Sequence, residues 1–458
     1  MTTAPTEVRE GRRVPPGPPR RATPGLLRLL FTDRLRLMSD GARYGDVVRI
    51  AIGPKALYLV NGPEHAKHVL ADNATNYHKG IGLRQARRAL GDGVLVSDGE
   101  AWRAQRKAIQ PAFQPKRIAA RAGLVAAEVD LLARRLREHV GGPPVDVLHE
   151  MTSLTLGVLG RTLLDADLGP HSSLGHSFEA VQDQAMFEAV TLGLVPRWLP
   201  TPGQVRFRRS RADLRRIADE LVAGRAAGPD GDDLLSRLVA RFASPEEVRE
   251  QLITLLLAGH ETTASTLGWA FHLLDEHPDV AERLRAEAVD VLGDRLPEAD
   301  DLHRLPYAVR VVEEVMRLYP PVWLLPRVAL ADDEIGGYHV PAGADVVVVP
   351  YTMHRHPEFW SDPERFDPDR FLPERAEGRP RYAYIPFGAG PRFCVGNALG
   401  LMEAVFVLVV LSREVRLAKL PGSPVTPEAM LSLRVRGGLP MTVHTASDGP
   451  ADRRPTRR

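Results

Sequence analysis

The stretch YIPFGAGPRFCVGNALG, Tyr384 to Gly400, holds Cys394, the one cysteine in a chain of 458 residues. The thiol sits in a glycine-broken loop, with Arg392 two residues before it. A lone cysteine is ordinarily a small buried hydrophobe. Here Gly388, Gly390 and Gly396 let the backbone turn sharply and lie close to a flat partner. The apolar run GNALGLMEAVFVLVVLSREV that follows reads as a helix, and the partial positive charge at its N-terminus favours a thiolate. A thiolate serves as a nucleophile or as a metal ligand. The sequence identifies no histidine base for a nucleophile, and structural zinc normally needs more cysteines or histidines. Single thiolate ligation suits haem iron, where electron donation from sulfur favours O–O cleavage.

Composition narrows the setting. With 60 basic and 58 acidic residues, the formal charge of +2 offers no general field for nucleic acid or an anionic membrane. Hydrophobic residues at 44% with aromatics at only 6% describe an ordinary soluble protein with a large aliphatic core. One cysteine excludes an intrachain disulfide, which fits a cytoplasmic location. The first apolar cluster, LLRLLF at Leu26 to Phe31, is too short for a signal peptide and is interrupted by Arg28. No run approaches the roughly 20 apolar residues of a membrane anchor.

Residues 1–24 are polar and proline-rich and read as a mobile arm, and residues 446–458 read as a disordered tail. DVVRIAIG and ALYLVNG form an expected hairpin around Pro54-Lys55, and EIGGYHVPAG with ADVVVVP a second strand pair near residue 340. Most of the rest has helical periodicity. The expectation is a mainly α fold with a small β part, one domain over residues 25–445. The longest element begins at Ser244-Pro245-Glu246-Glu247, with an N-cap, a first-turn proline and a capping-box glutamate, and runs to His277-Pro278. Its middle is apolar on nearly all sides yet contains Gly259, His260, Glu261, Thr262 and Thr263. A helix-interior glycine costs about 1 kcal/mol against alanine, and a buried carboxylate costs more unless paired. HETTA departs from the zinc motif H-E-x-x-H at Ala264, so zinc is rejected.

Taken together, FGAGPRFCVG at Phe387 to Gly396 resembles the haem-binding loop of the cytochrome P450 family, with every signature position filled. Other stretches similar to the family follow in order from about Gly25 to Val443. The resemblance implies that fold, with the long central helix lying over a buried haem, and makes Cys394 the axial iron ligand in a loop whose Phe387, Gly388 and Gly396 lie against the cofactor. Arg392 would reach a haem propionate, as would Trp102 and Arg106 of a W-x-x-x-R clamp and Arg327 of LLPRVAL. No C-x-x-C-H exists, so the haem is expected to be haem b, held without thioether links. AGHETT resembles the oxygen-binding segment, with Ala258 and Gly259 beside the haem and Glu261 and Thr262 as acid and alcohol. Thr262 would bond Ala258 and open the helix there. Glu314 and Arg317 of EEVMRLYPP would be locked to an arginine downstream. Position in the chain favours Arg370 of PDRF over Arg365 of PERF.

The implied activity is that of a monooxygenase that consumes dioxygen, with electrons from a separate ferredoxin and its NAD(P)H-dependent reductase. The resemblance also leaves a peroxide-driven hydroxylase and a non-catalytic haem sensor or carrier as rivals, neither of which needs the Glu261–Thr262 pair. Arg103 and Lys107, on a helix face neighbouring that of Trp102 and Arg106, are expected to meet an acidic ferredoxin. The family's substrate-contacting regions correspond to residues 80–96, 186–200, the central helix, PPVWLL at 320–325 and RGGLP at 436–440. They are largely aliphatic, which implies an apolar substrate, a terpene ahead of a macrolide or fatty acid. The protein is expected to be a monomer.

Overall fold

The computed structural model describes residues 8–9, 12–52, 55–171, 173–191, 195–196, 198–226, 231 and 233–446. Helices dominate. The central one spans Pro245–Glu276, 32 residues or about 48 Å. Ser244 caps it by accepting the Glu247 N–H at 3.2 Å. The Glu247 carboxylate reaches back one residue beyond the cap, to the Ala243 N–H at 3.2 Å. From Leu252 to Leu274 the helix is buried on most sides, packed by helices Val147–Leu159, Pro306–Leu318 and Asn397–Glu414. Trp269 fixes its register, stacking on Tyr319 at 3.8 Å and donating to the Leu433 carbonyl at 2.9 Å. No helix among the described residues is long and apolar enough to cross a membrane.

The main sheet has five strands in the order Val47–Ile52, Lys55–Val60, Asp345–Val348, Leu325–Ala329 and Tyr77–Lys79. The first two form the expected antiparallel hairpin; Pro54 lies outside the described residues. The second strand pair is corrected. EIGGYHV makes its own hairpin, Asp333–Ile335 with Tyr338–Val340, because Gly336 and Gly337 both take positive φ, +59° and +78°, in a two-residue turn. Asp345–Val348 instead runs parallel to Lys55–Val60 and antiparallel to Leu325–Ala329. Its unbroken run Val346–Val348 suits a strand buried between neighbours.

From Arg12 onward, the segment expected to be a mobile arm lies against the sheet. The Arg49 N–H donates to the Pro16 carbonyl at 2.9 Å. A Cβ on Gly17 would lie 2.0 Å from the Arg49 carbonyl oxygen, so only glycine fits there. The proline-rich run lies along the first sheet strand as an extended segment, needing few N–H donors of its own. Residues 1–7, 10 and 11 and the tail 447–458 are outside the described residues.

A buried ionic cluster ties these layers to the cysteine loop. Arg317 holds Glu314 with two bonds, 2.6 and 2.9 Å, and both side chains are 0% exposed. Arg370 adds a third bond to Glu314 at 3.1 Å. Arg365 contributes only its carbonyl, accepting from Arg317 and Arg370, while its side chain is exposed. Arg317 also donates to the His354 carbonyl at 2.9 Å, and the His354 ring accepts the Ile385 N–H at 2.9 Å. Burial holds His354 down to about 3, so the ring is the neutral acceptor this bond needs. Removing one partner of a buried ion pair costs about 3–5 kcal/mol, because the remaining charge stays buried. Arg370→Met should therefore cost at least about 3 kcal/mol in urea unfolding, and Arg365→Met less than about 0.5 kcal/mol; equal losses would refute the assignment.

Candidate active site

The cysteine loop has little conformational freedom left. Gly388 and Gly390 have φ of +70° and +68°, in the left-handed region that favours glycine. A Cβ on Gly390 would lie 1.9 Å from the Leu70 carbonyl oxygen, so the close approach here is to the helical turn His68–Asp72. The Cys394 N–H donates to the Phe387 carbonyl at 3.0 Å, and helix Asn397–Glu414 starts after its N-cap Gly396. Burial pushes the Cys394 thiol up, while the Gly396 N–H and Arg106 pull it down. Burial wins. A coordinating cation would favour the thiolate that burial opposes.

Cys394 lines a cavity of about 500 Å³ together with Trp102, Arg106, Ala258, Gly259, Glu261, Thr262, Arg327, Phe387, Gly388, Arg392 and Gly396. Every residue expected to touch the cofactor or dioxygen is thus brought to one space. Glu314, Arg317 and Arg370 stand outside it, in the cluster described above.

One wall of the cavity is over-supplied with positive charge. Arg392 donates to Asp98 at 2.5 Å and to the Ser97 carbonyl at 3.0 Å, with its guanidinium 4.4 Å from the Trp102 ring centre. Arg327 is 5% exposed and reaches only the Pro326 carbonyl, at 3.0 Å. Burial, then Arg392, brings Arg327 down to about 10. The sequence reading did not single out Lys79, which pairs directly with Arg327 across two antiparallel strands. Burial first, then Arg327 and Arg392, holds its ammonium well below the usual lysine value. The signal was the alternation in YHK, which puts Lys79 on the same buried face as Tyr77. Arg106, half-buried, has no ion pair among the described residues. Lys79, Arg327 and Arg392 share the carboxylate of Asp98, and Arg106 lines the same cavity, so the wall fits a ligand with negative charges at its edge. Haem, with two propionates and an iron for the sulfur, is such a group.

The central helix supplies the opposite chemistry. Thr262 donates its hydroxyl to the Ala258 carbonyl at 2.9 Å, as expected, but the helix stays α-helical throughout rather than opening. Thr263 makes the weaker bond of the same kind, to Gly259 at 3.3 Å, and also lines the cavity, its hydroxyl 3.5 Å from where a Cβ on Gly400 would stand. A Cβ on Gly259 would lie 2.8 Å from the Leu159 side chain. The glycine therefore serves helix crossing as well as cavity space. Glu261 accepts from Ser432 at 2.6 Å, and next to Ser432 and Leu433 stands Arg434, itself paired with the half-exposed Glu179 and Asp183. His260 is buried, its ring 2.7 Å from the Leu256 carbonyl and 5.0 Å from Phe178; burial holds it below the usual histidine value.

Of the expected substrate-contacting regions, residues 80–96, 186–200, the central helix and 320–325 contribute mainly aliphatic side chains to the cavity; residues 192–194 and 197 lie outside the described residues. The arginines of the first turn away: Arg84 pairs with Asp345, Arg87 with Asp92, and Arg88 with Glu188. The turn 436–440 does not line the cavity. Gly438 packs on Asp146, and Met430, Leu431 and Ser432 take its place.

A model of the family described as Cytochrome P450 matches residues 16–436. The chain belongs to the cytochrome P450 family. It is 37% identical to cyclooctatin synthase of Streptomyces melanosporofaciens, over 88% of this chain and 90% of that one. It is 38% identical to cyclooctat-9-en-7-ol 5-monooxygenase of the same organism, over 86% and 87%. Pentalenene oxygenase of Streptomyces avermitilis is 32% identical over 87% and 90%. Among solved structures, the cytochrome P450DA haem domain superposes with a TM-score of 0.85 at 25% identity, covering 95% of this chain and 98% of that one. The protein is accordingly a P450 monooxygenase, and the family's cofactor is a haem held by a thiolate.

The charge imbalance makes a signed prediction. Lys79→Met removes an unpaired buried cation, so it should stabilise the haem-free chain by about 1–3 kcal/mol while lowering haem retention on dilution. Unfolding of apoprotein and haem loss to an acceptor protein measure the two; parallel effects would refute the role given to Lys79.

Proposed function

We propose that this P450 is a ferredoxin-dependent, cytoplasmic, monomeric enzyme that inserts one oxygen atom from dioxygen into a terpene skeleton. The observation that carries the reading is the placement of the Thr262 hydroxyl on the same cavity as Cys394. The peroxide-driven and carrier alternatives give that hydroxyl no task. The aliphatic lining and the relatives named for cyclooctatin and pentalenene support a terpene over a macrolide or fatty acid.

Cys394 would ligate the iron of a haem b, with Lys79, Arg106, Arg327 and Arg392 neutralising its propionates and Trp102 packing beneath Arg392. When bound, haem supplies the activation of dioxygen. The chain's own work is positional. Thr262 spends its proton on the Ala258 carbonyl, which leaves its oxygen lone pairs to orient a water or a protonated group in the cavity. Glu261, bonded to Ser432 near Arg434 and its surface acids, stands between the cavity and solvent, where a carboxylate can pass protons inward. The aliphatic wall excludes other water.

Thr262→Ala should leave haem content and substrate affinity unchanged, since alanine suits the helix. NAD(P)H consumption should continue with product reduced about tenfold or more and hydrogen peroxide increased. Thr263→Ala, whose hydroxyl faces helix Asn397–Glu414, should do much less. Turnover with surrogate ferredoxin and reductase measures both; a fully coupled Thr262→Ala would refute the role.

For the partner, Arg103 and Lys107 are exposed on helix Gly99–Ile109 while Trp102 and Arg106 of the same helix line the cavity. Basic surface charge is thus carried by the same helix as two cavity-lining residues, about 100° around from them. Lys107→Glu should slow reduction by an acidic ferredoxin several-fold at low salt and leave dithionite reduction unchanged. Unchanged ferredoxin rates would exclude this face.

A further inference from the structure

Helix Leu174–Val190 carries four buried polar side chains among the described residues: Ser177, Gln182, Gln184 and Glu188. Ser177 donates to Asp213 at 3.1 Å, Gln184 donates to Glu188 at 3.0 Å, and Glu188 also holds Arg88. Gln182 has nothing. It is 1% exposed, and neither its amide nitrogen nor its amide oxygen has a hydrogen-bond partner. It lines the cavity together with Met186, Ala189 and Val190, a single helical face at i, i+4, i+7 and i+8. A second orphan lies on the central helix. Thr262, Thr263 and Thr266 all donate to the carbonyl four residues back. Thr254, 0% exposed and lining the same cavity, leaves its hydroxyl unpartnered.

Native interiors pair nearly all such groups, and an exception calls for a reason. Beside the aliphatic Met186, Ala189 and Val190, an amide offering both a donor and an acceptor matches a ligand group that also does both. A hydroxyl qualifies; a ketone or ether can only accept. We propose that the substrate arrives already carrying one hydroxyl group, which binds Gln182 with Thr254 as the further polar contact, and so presents another carbon of its skeleton for oxygenation. The inference rests on the apolar-substrate monooxygenase reading above and narrows it. The reaction that supplies the substrate must then leave an alcohol on a hydrocarbon skeleton, as a water-quenched cyclisation or an earlier hydroxylation does.

The test uses the haem-loaded enzyme and matched pairs of one hydrocarbon and its monohydroxylated derivative, drawn from sesquiterpenes, diterpenes and hexadecane. Equilibrium binding is scored by the spin-state change of the ferric haem. For each skeleton that binds, the alcohol should bind at least tenfold more tightly, about 1.4 kcal/mol. Gln182→Leu, near-isosteric and unable to hydrogen-bond, should abolish the preference or invert it, and Thr254→Val should reduce it several-fold. Gln182→Met repeats the test should the leucine variant fold poorly. Equal affinity for hydrocarbon and alcohol in the unaltered enzyme, or a preference that survives both Gln182 variants, would overturn the proposal, as would failure of every pair to bind. The two readings separate cleanly. A Gln182-dependent alcohol preference seen only with the hexadecane pair sustains this inference and refutes the terpene assignment, whereas terpene hydrocarbons bound without preference do the reverse.

Discussion

Lys79 and Arg327 face each other across two hydrogen-bonded strands inside the protein, and the arrangement of the cavity follows from what relieves that repulsion. Like charges directly opposite on a sheet are destabilising even at the surface. Here Arg392 adds to the same field and Asp98 alone opposes it. Spread over Lys79, Arg327 and Arg392, one carboxylate leaves most of the charge unanswered. A dianionic edge bound at this wall would remove a penalty the empty fold carries, so ligand binding and folding stability are linked. The same wall carries Trp102, and its helix also bears the exposed Arg103 and Lys107, so one element joins the cavity wall to basic surface charge.

The sulfur must be held at a fixed place relative to that wall, and the fold does this through side chains bonded to backbone groups. From Glu314 the path runs through Arg317 to the His354 carbonyl, and from the His354 ring to the Ile385 N–H, just before Phe387. Tyr384 adds a bond to the Glu313 carbonyl at 2.8 Å. Gly390 then seats the loop on Leu70 with no room for a side chain. A buried ion cluster is weak evidence for stability as such. Its value here is directional: guanidinium groups with several fixed donors define where two chain segments far apart in sequence must meet.

Much of this was legible in the sequence because it rests on local signals. The cap at Ser244, the apolar run to His277 and the glycine spacing around Cys394 each report a backbone requirement within a few residues. Position in the chain also separated Arg370 from Arg365, although the better letter match pointed the other way. What the sequence could not show is non-local. Lys79 matters because Leu325–Ala329 is its sheet neighbour, a pairing across some 250 positions that no window reveals. Asp345–Val348 joined a different sheet from its sequence neighbours for the same reason. The proline-rich segment after Arg12 looked unable to fold because it lacks helix and strand propensity, yet it needs only an existing edge to lie against. Gln182 is invisible to periodicity, since an amide on an amphipathic helix reads as one more polar position.

The cavity lining therefore holds unsatisfied groups of different kinds, the cations around Asp98, the neutral Gln182 and Thr254, and the buried acid Glu403 with one unpartnered carboxyl oxygen, and the energies of the first two kinds assign them different occupants. Buried unpaired charges cost several kcal/mol each even after relaxation, so the wall of Lys79, Arg106, Arg327 and Arg392 calls for a ligand that stays. A neutral amide or hydroxyl left unpaired costs only about 1–3 kcal/mol. A passing water or an exchanging ligand can meet that cost without making departure slow, since 1.4 kcal/mol corresponds to only a tenfold change in affinity. Cations at one part of the lining and the neutral groups of Gln182 and Thr254 at another thus suit a permanent cofactor and a transient substrate. Glu261 and Thr262 belong to neither set, because both already have protein partners, Ser432 and Ala258. Groups that must move or hold protons during turnover are better kept bonded between events, since an orphaned acid in an apolar cavity would simply take up a proton and keep it.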